Sequence, residues 1–396
     1  MVPASGFAQP ASDLVSLSNT ARPISADERR KRIAKLQGLM QQGRVGAVLA
    51  ESGSTLEYFT GVRRGRSERV TAALIPADGD VTLVASAFEA PSVSETLQIG
   101  NIRTWEEDEK PALLIRDILA RENLAGRPLG IEGTTRFFVF DGIRHELGSL
   151  ELVSADPIVN ACRSIKSAHE LDLIQLANNI TLAALRWVHA HVQTGMTQTD
   201  IAKLMDRASL QLGAHEIEFN LVLLNESSAF PHGSHQPQKV REGSTILMDC
   251  GCNIFGYQSD ITRTWFHGEP TARQRKIWNT VRQGQLIALE TARPGVPAGA
   301  IDHAVRAFYT KEGWGPGYKL PGLAHRTGHG IGLDGHEAPY LVNGDNTPLA
   351  PGMCFSDEPG LYIPGEFGVR LEDCWHMTDS GPKLFTDIAA SVENPV

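Results

Sequence analysis

The sequence predicts two domains in series, an α/β domain with a mixed sheet followed by an α+β domain of extended segments between glycine-rich turns. Three observations lead to this reading. The chain has 396 residues, more than one hydrophobic core usually serves. Its first part alternates strand-like runs with helical patterns, and from Ser244 onward "STILMDCG", "GYQSDITRTWF", "MCFSDEPGLYI" and "FGVRLEDCWHM" follow one another between Gly and Pro.

Taken in order, residues 1–26 are small and polar, and read as an arm that frays or docks on a partner subunit. The pattern "ADERRKRIAKLQGLMQQG" predicts a helix from Ala26 to Gly43, after which "VGAVLA", "TAALIPADG", "VTLVASA" and "PLGIEG" read as short strands. These form the first domain, residues 27–160. Ser167 followed by Glu170 fits a capping box opening a long helix, on which Leu173, Ala177, Ile180, Ala184 and Trp187 recur at the spacing of a helix laid on a sheet. "TQTDIAKLMDRASLQLG" predicts a second amphipathic helix, and the second domain runs over 161–396.

Composition removes several function classes. A net charge of -9 and a pI near 5.8 argue against nucleic acid or an anionic membrane surface as partner, since both attract basic patches. The N-terminal residues show no basic stretch followed by an apolar one, and no apolar run reaches membrane-spanning length, so neither secretion nor a membrane span is expected. Five cysteines form an odd set without a CxxC pair, each in or beside an apolar run, and read as reduced thiols of a cytoplasmic protein.

The chemistry concentrates in acids and histidines. Asp249 ends one β-like run and Asp260 lies in the next, with Gly251 and Gly256 turning the chain between them. Period two places Arg370 and Glu372 on one strand face, and Glu358 precedes the Pro359-Gly360 turn. His329 stands between Gly328 and Gly330, where bare backbone could approach an ion closely, with His232, His325 and His336 in the same half of the chain. Each acid taken alone fits a turn or a wet sheet face. Together, Asp249, Asp260, His329, Glu358 and Glu372 make an oxygen-rich set suited to two hard or borderline divalent ions.

The segments "FPHGSH", "ILMDCGCNIFGYQSDITRT", "HRTGHGIGLDGHE", "DEPGLYI" and "GVRLED" stand in the order found in the pita-bread metallopeptidases, and the chain resembles the Xaa-Pro dipeptidases, or prolidases, of compact bacterial form. The resemblance implies a creatinase-like N-terminal α/β domain and a pita-bread catalytic domain. It puts the metal ligands on Asp249, Asp260, His329, Glu358 and Glu372, with Asp260 and Glu372 bridging two ions, most often manganese, with cobalt or zinc as alternatives. It further implies a hydroxide between the ions as nucleophile, Glu358 as general base, and His232 and His336 as groups that orient substrate and stabilise the oxyanion. Arg370 would hold a substrate carboxylate, with His325 and Tyr362 in the pocket wall. One departure is Ile254, five positions after the first aspartate, where many relatives carry an aromatic residue.

The expected activity is therefore hydrolysis of a small peptide substrate of Xaa-Pro type by a homodimer. Alternatives on the same fold are an aminopeptidase P acting on longer peptides, a hydrolase of a small non-peptide amide such as ectoine, and a binding module that has lost its chemistry.

Overall fold

The structure is a computed structural model that describes residue 11 and residues 13–234 and 236–396. The first ten residues of the expected arm and residue 12 lie outside the described residues, as does His235 of the "FPHGSH" segment. The chain divides into two compact units between Arg163 and Ser164, with residues up to Pro23 belonging to the second.

The first unit contains helix α1 (Ala26–Gly43), strand β1 (Ala47–Glu51), α2 (Ser54–Thr60), β2 (Ala72–Pro76), β3 (Thr82–Ser86), α3 (Ala90–Ser94), β4 (Asn101–Trp105), α4 (Pro111–Arg121), β5 (Leu129–Ile131), α5 (Phe137–Leu147), β6 (Leu152–Ser154) and α6 (Asp156–Arg163). Its six-stranded sheet has the order β4-β3-β2-β1-β5-β6. The β1–β2 and β2–β3 pairs are antiparallel and the β3–β4, β1–β5 and β5–β6 pairs parallel, so the sheet is mixed. The central β1 and β2 are buried along their whole length, as expected of strands covered on both faces.

The second unit contains α7 (Ala168–His191), α8 (Gln198–Gln211), β7 (Glu216–Leu224), β8 (Thr245–Ile254), β9 (Tyr257–Gln258), β10 (Ile261–Phe266), α9 (Ala272–Thr291), α10 (Ala298–Lys311), β11 (Gly328–Gly330), β12 (Glu337–Leu341), β13 (Cys354–Asp357), β14 (Gly360–Ile363), β15 (Phe367–Arg370), β16 (Asp373–Thr378) and β17 (Gly381–Leu384). The strands form a β10-β8-β7 sheet with β9 paired to β8, a β12-β11-β13-β16-β17 sheet and a β14-β15 hairpin. Ser167 and Glu170 make the reciprocal capping bonds that open α7. The predicted stripe on α7 is buried, including Leu173, Ala177 and Ile180.

Three sequence expectations are corrected. Asp249 does not end its strand, because β8 continues through Gly251 to Ile254 and the turn falls at Phe255 and Gly256, both in the left-handed region. Gly251 is needed for another reason: a Cβ there would lie 2.4 Å from both the Phe219 ring and the Ser259 carbonyl. Arg370 and Glu372 do not share one strand, since β15 ends at Arg370 and β16, in a different sheet, starts at Asp373. The described part of the arm docks within its own chain, Leu17 N–H donating to Leu212 O at 2.8 Å. All five cysteines are free and buried, as the sequence suggested.

Candidate metal centre

The acids project from strand middles and from the links where the chain passes between sheets. Asp249, inside β8, lies opposite Leu221 of β7 and Thr262 of β10, and directly opposed residues of an antiparallel pair point to one face. Asp260 immediately precedes β10. Glu372 occupies the link between β15 and β16, held by its N–H to Thr262 O at 3.0 Å and by the Thr262 hydroxyl donating to Oε2 at 2.6 Å. Glu358, in the link between β13 and β14, is tied by its N–H to Thr327 O at 2.8 Å.

These links converge. Ligand atoms of Asp249, Asp260 and Glu372 lie within 4.8 Å of one another, as do those of His329, Glu358 and Glu372 and those of Asp260, His329 and His336. His329 Nε2 is 3.3 Å from Glu358 Oε1 and 3.5 Å from Asp260 Oδ2. Its Nδ1 sits 3.1 Å from the Gly330 carbonyl, which assigns the proton to Nδ1 and turns the Nε2 lone pair toward the acids. Burial lowers the His329 pKa further, favouring the neutral ring a metal needs.

The expected reason for the flanking glycines does not hold. A Cβ at Gly328 would meet Ser356 O at 2.2 Å and one at Gly330 would meet Glu337 O at 2.4 Å. The bare positions let β11 lie tightly between β12 and β13; they serve packing rather than approach to an ion.

Whether metal ions fit can be judged from the acids themselves. Burial, and then repulsion from Asp249 and the other carboxylates, lifts Asp260 and Glu372 well above the usual carboxylate range. Burial lifts Glu358 to about 7, against the pull of His329 and Arg370. Asp249 Oδ1 and Glu372 Oε1 are buried without a hydrogen-bond partner among the described residues, and orphaned buried oxygens of this kind require a proton or a cation. Four carboxylates and one imidazole form the donor chemistry of divalent ions. The residues present fit such ions.

Around this cluster is a cavity of about 420 Å³, lined also by His232, His325, His336 and Arg326 and, on its apolar wall, by Phe219, Leu221 and Pro231. The His336 ring lies 3.8 Å from that of His329, centroid to centroid, so the seven-residue excursion does return to the same place. His232 and His336 are exposed at the rim. Burial, and then the charge of Arg370, depress His325 to about 3, and its Nδ1, 2.8 Å from Arg326 O, carries the proton.

Tyr362 is not in the cavity wall, and Arg370, which does line the cavity, has its guanidinium engaged by protein groups. Tyr362 is fully buried behind the wall, accepting a bond from Arg370 Nη1 at 3.0 Å and donating to His325 Nε2 at 2.7 Å. Arg370 is 3% exposed, with Nε bonded to Thr262 Oγ1 at 3.0 Å, Nη1 to Pro231 O at 3.2 Å and Nη2 to Asp249 Oδ2. An arginine beside four acids is drawn to the nearest of them, so this one orients Asp249 rather than offering a free fork. Ile254 is buried at the end of β8, paired with Tyr257, and is not part of the wall. Arg326, which sequence reasoning passed over, does line the cavity; its place inside "HRTGHG", between two residues of the motif, was the available signal.

Fold and site together define a metal-dependent hydrolase whose donor groups are carried on strands and strand links of the second unit. Residues 172–379 match the model of metallopeptidase family M24 and residues 32–165 that of the creatinase/prolidase N-terminal domain. The chain is 31% identical over 356 residues to the Xaa-Pro dipeptidase of Lactobacillus helveticus, covering 89% of this chain and 95% of that one. Among solved structures it resembles dipeptidase PepE from Mycobacterium ulcerans, with a TM-score of 0.84 at 29% identity over 92% of this chain and 97% of that one. It also resembles the recombinant prolidase from Thermococcus sibiricus, with a TM-score of 0.83 at 28% identity over 91% and 97%. The chain belongs to metallopeptidase family M24 and combines the creatinase-type N-terminal domain with the pita-bread catalytic domain. No helix among the described residues is long and apolar enough to cross a membrane.

Proposed function

We propose that the chain hydrolyses Xaa-Pro dipeptides with the help of two divalent ions, manganese by preference. The observation that carries this reading is the meeting of two donor sets at one residue: Asp249, Asp260 and Glu372 on one side, and His329, Glu358 and Glu372 on the other. The relatives named prolidase and Xaa-Pro dipeptidase support the choice of substrate. When bound, the ions would make a water more acidic and polarise the scissile carbonyl.

The chain's own residues supply the rest. Glu358, in the link between β13 and β14, is placed to take a proton at one carboxylate oxygen and return it to the departing proline nitrogen. Its Oε1 faces His329 Nε2 and its Oε2 lies 3.8 Å from His325 Nδ1, so both oxygens are held within the cluster. His232 and His336 at the rim donate to the substrate carbonyl oxygen as negative charge develops on it. Phe219, Leu221 and Pro231 offer an apolar wall to the pyrrolidine ring. Arg370 holds Asp249 in orientation, and Tyr362 locks the tautomer of His325.

The test is hydrolysis of Ala-Pro, Gly-Pro, Ala-Ala and Ala-Pro-Ala with added manganese, beside a Glu372→Ala control. Cleavage confined to the Xaa-Pro dipeptides and lost in the control is expected. Preference for the tripeptide would make the chain an aminopeptidase P, and metal binding without cleavage of any of the four would remove the peptide substrate altogether.

A further inference from the structure

The inference concerns how a dipeptide is told from a longer chain, and it rests on the dipeptidase reading above. A Xaa-Pro dipeptide differs from a longer peptide in the free carboxylate that directly follows the proline ring. Selecting it requires a cation with unused donors facing the cavity, because a carboxylate leaving water must regain its hydrogen bonds from the protein.

Among the described residues two cationic side chains other than histidine line the cavity, Arg326 and Arg370. Arg370 is spent on Asp249, Thr262, Tyr362 and Pro231. Arg326 is half-buried, and its guanidinium carbon lies 4.4 Å from the centroid of the Tyr340 ring. Stacking of this kind fixes the guanidinium plane and leaves its N–H groups unused. Among the described residues the Arg326 side chain makes no hydrogen bond or ion pair.

The placement is also suitable. Tyr340 pairs with His329 in the β11–β12 register, so the platform beneath Arg326 is attached to the strand that carries His329. Thr327, next to Arg326, is bonded through its carbonyl to Glu358 N–H and through its own N–H to the buried Asp302 carboxylate at 3.1 Å. The backbone carrying Arg326 is therefore fixed to the groups that surround the scissile bond.

We propose that Arg326 binds the C-terminal carboxylate of the substrate and is the residue that makes this site select dipeptides. The guanidinium offers paired donors to the carboxylate of a Xaa-Pro dipeptide, while a peptide longer by one residue presents a neutral amide at that point.

The test compares Ala-Pro with its C-terminal amide, Ala-Pro-NH2, in the manganese-loaded full chain and in the variants Arg326→Met and Arg326→Lys. Bound manganese and the melting temperature are measured in each. In wild type, kcat/KM should be higher for Ala-Pro. Arg326→Met should lower it about 10- to 100-fold for Ala-Pro, chiefly through KM, as expected for loss of a charge-assisted hydrogen-bond pair. The amide should be cleaved as before, so the preference disappears, and Arg326→Lys should restore part of it. An equal fall on both substrates, or no fall on Ala-Pro in either variant, overturns the assignment. If wild type cleaves Ala-Pro and the amide equally well, no carboxylate is being read and the assignment also fails while the peptidase reading stands. If wild type cleaves neither, the dipeptidase reading fails and takes the assignment with it.

Discussion

Replacing Glu358 with glutamine should change how the metal-free protein responds to pH. Burial holds the Glu358 carboxyl at about 7 in the folded chain, against 4.5 for an unperturbed glutamate. Its side chain is 14% exposed, so solvent screens it little. Because the folded value is the higher one, the stability the group contributes is intact below pH 4.5 and is lost as pH rises through 7. The gap corresponds to about 3 kcal/mol in all, most of which falls between pH 5 and pH 8. Glutamine has no such proton to lose. Its cost as a buried amide is independent of pH, and the buried histidines, which weaken the fold as pH falls, are common to both proteins. In chelator-treated protein the melting temperature of wild type relative to Glu358→Gln should therefore fall by about 5–10 °C between pH 5 and pH 8, for a domain of this size. Manganese should stabilise wild type more at pH 8 than at pH 5, since an ion replaces the missing proton. Calorimetry at pH 5, 6, 7 and 8 decides it: a wild-type-minus-variant difference that stays constant would mean that the Glu358 carboxyl is not held protonated by its surroundings.

Other perturbations follow from the same geometry. Lys166 Nζ and Glu337 Oε1 are 2.5 Å apart with side chains 2% and 8% exposed, so Lys166→Met should cost about 3–5 kcal/mol by leaving the Glu337 charge without its lysine; thermal melts should show most of the loss recovered in Lys166→Met/Glu337→Gln. Asp260→Asn should reduce the number of manganese ions retained per chain after dialysis, measured by elemental analysis, whereas Asp334→Asn, outside the donor sets, should not. Burial pushes Cys162 to about 11, Cys354 to about 12, and Cys250 and Cys374 well above the usual thiol range. A disulfide reagent at pH 8 should therefore leave the native thiols untouched and titrate all five cysteines once denaturant is added.

What could be read from the sequence was what local chemistry determines. The Ser167–Glu170 capping box is complete within four residues and opens α7 where expected. Strands β1, β2, β3 and β5 announced themselves as apolar runs, whereas β4, at the edge of its sheet and mostly accessible, carries no such run and was missed. The break between Arg370 and Glu372 has no glycine or proline to mark it. It exists because β15 pairs with β14 while β16 pairs with β13, a decision made by distant partners. The five metal-ligand candidates were legible as types in an ordered set of motifs, but the two arginines were not separable by spacing. Only the structure reveals that Arg370 is bonded to Asp249 and that Arg326 is stacked on Tyr340 with its donors unused among the described residues.

That division of labour between the arginines follows from the charge of the site. Asp249, Asp260, Glu358 and Glu372, all ionised, bring four negative charges, against which the fold provides one buried arginine, Arg370. The deficit of three is more than a single divalent ion can cancel, and two ions exceed it by one. Without ions the protein meets the deficit with protons: burial first, and then the neighbouring carboxylates, raise the pKa values of Asp260, Glu358 and Glu372. Metal and protons therefore compete for the same oxygens, and loading must become easier as pH rises. A small positive excess in the loaded site is also what an anionic substrate and a developing oxyanion require. Arg326 can stay unpaired because the acids are already satisfied without it, and its charge is then left for the substrate.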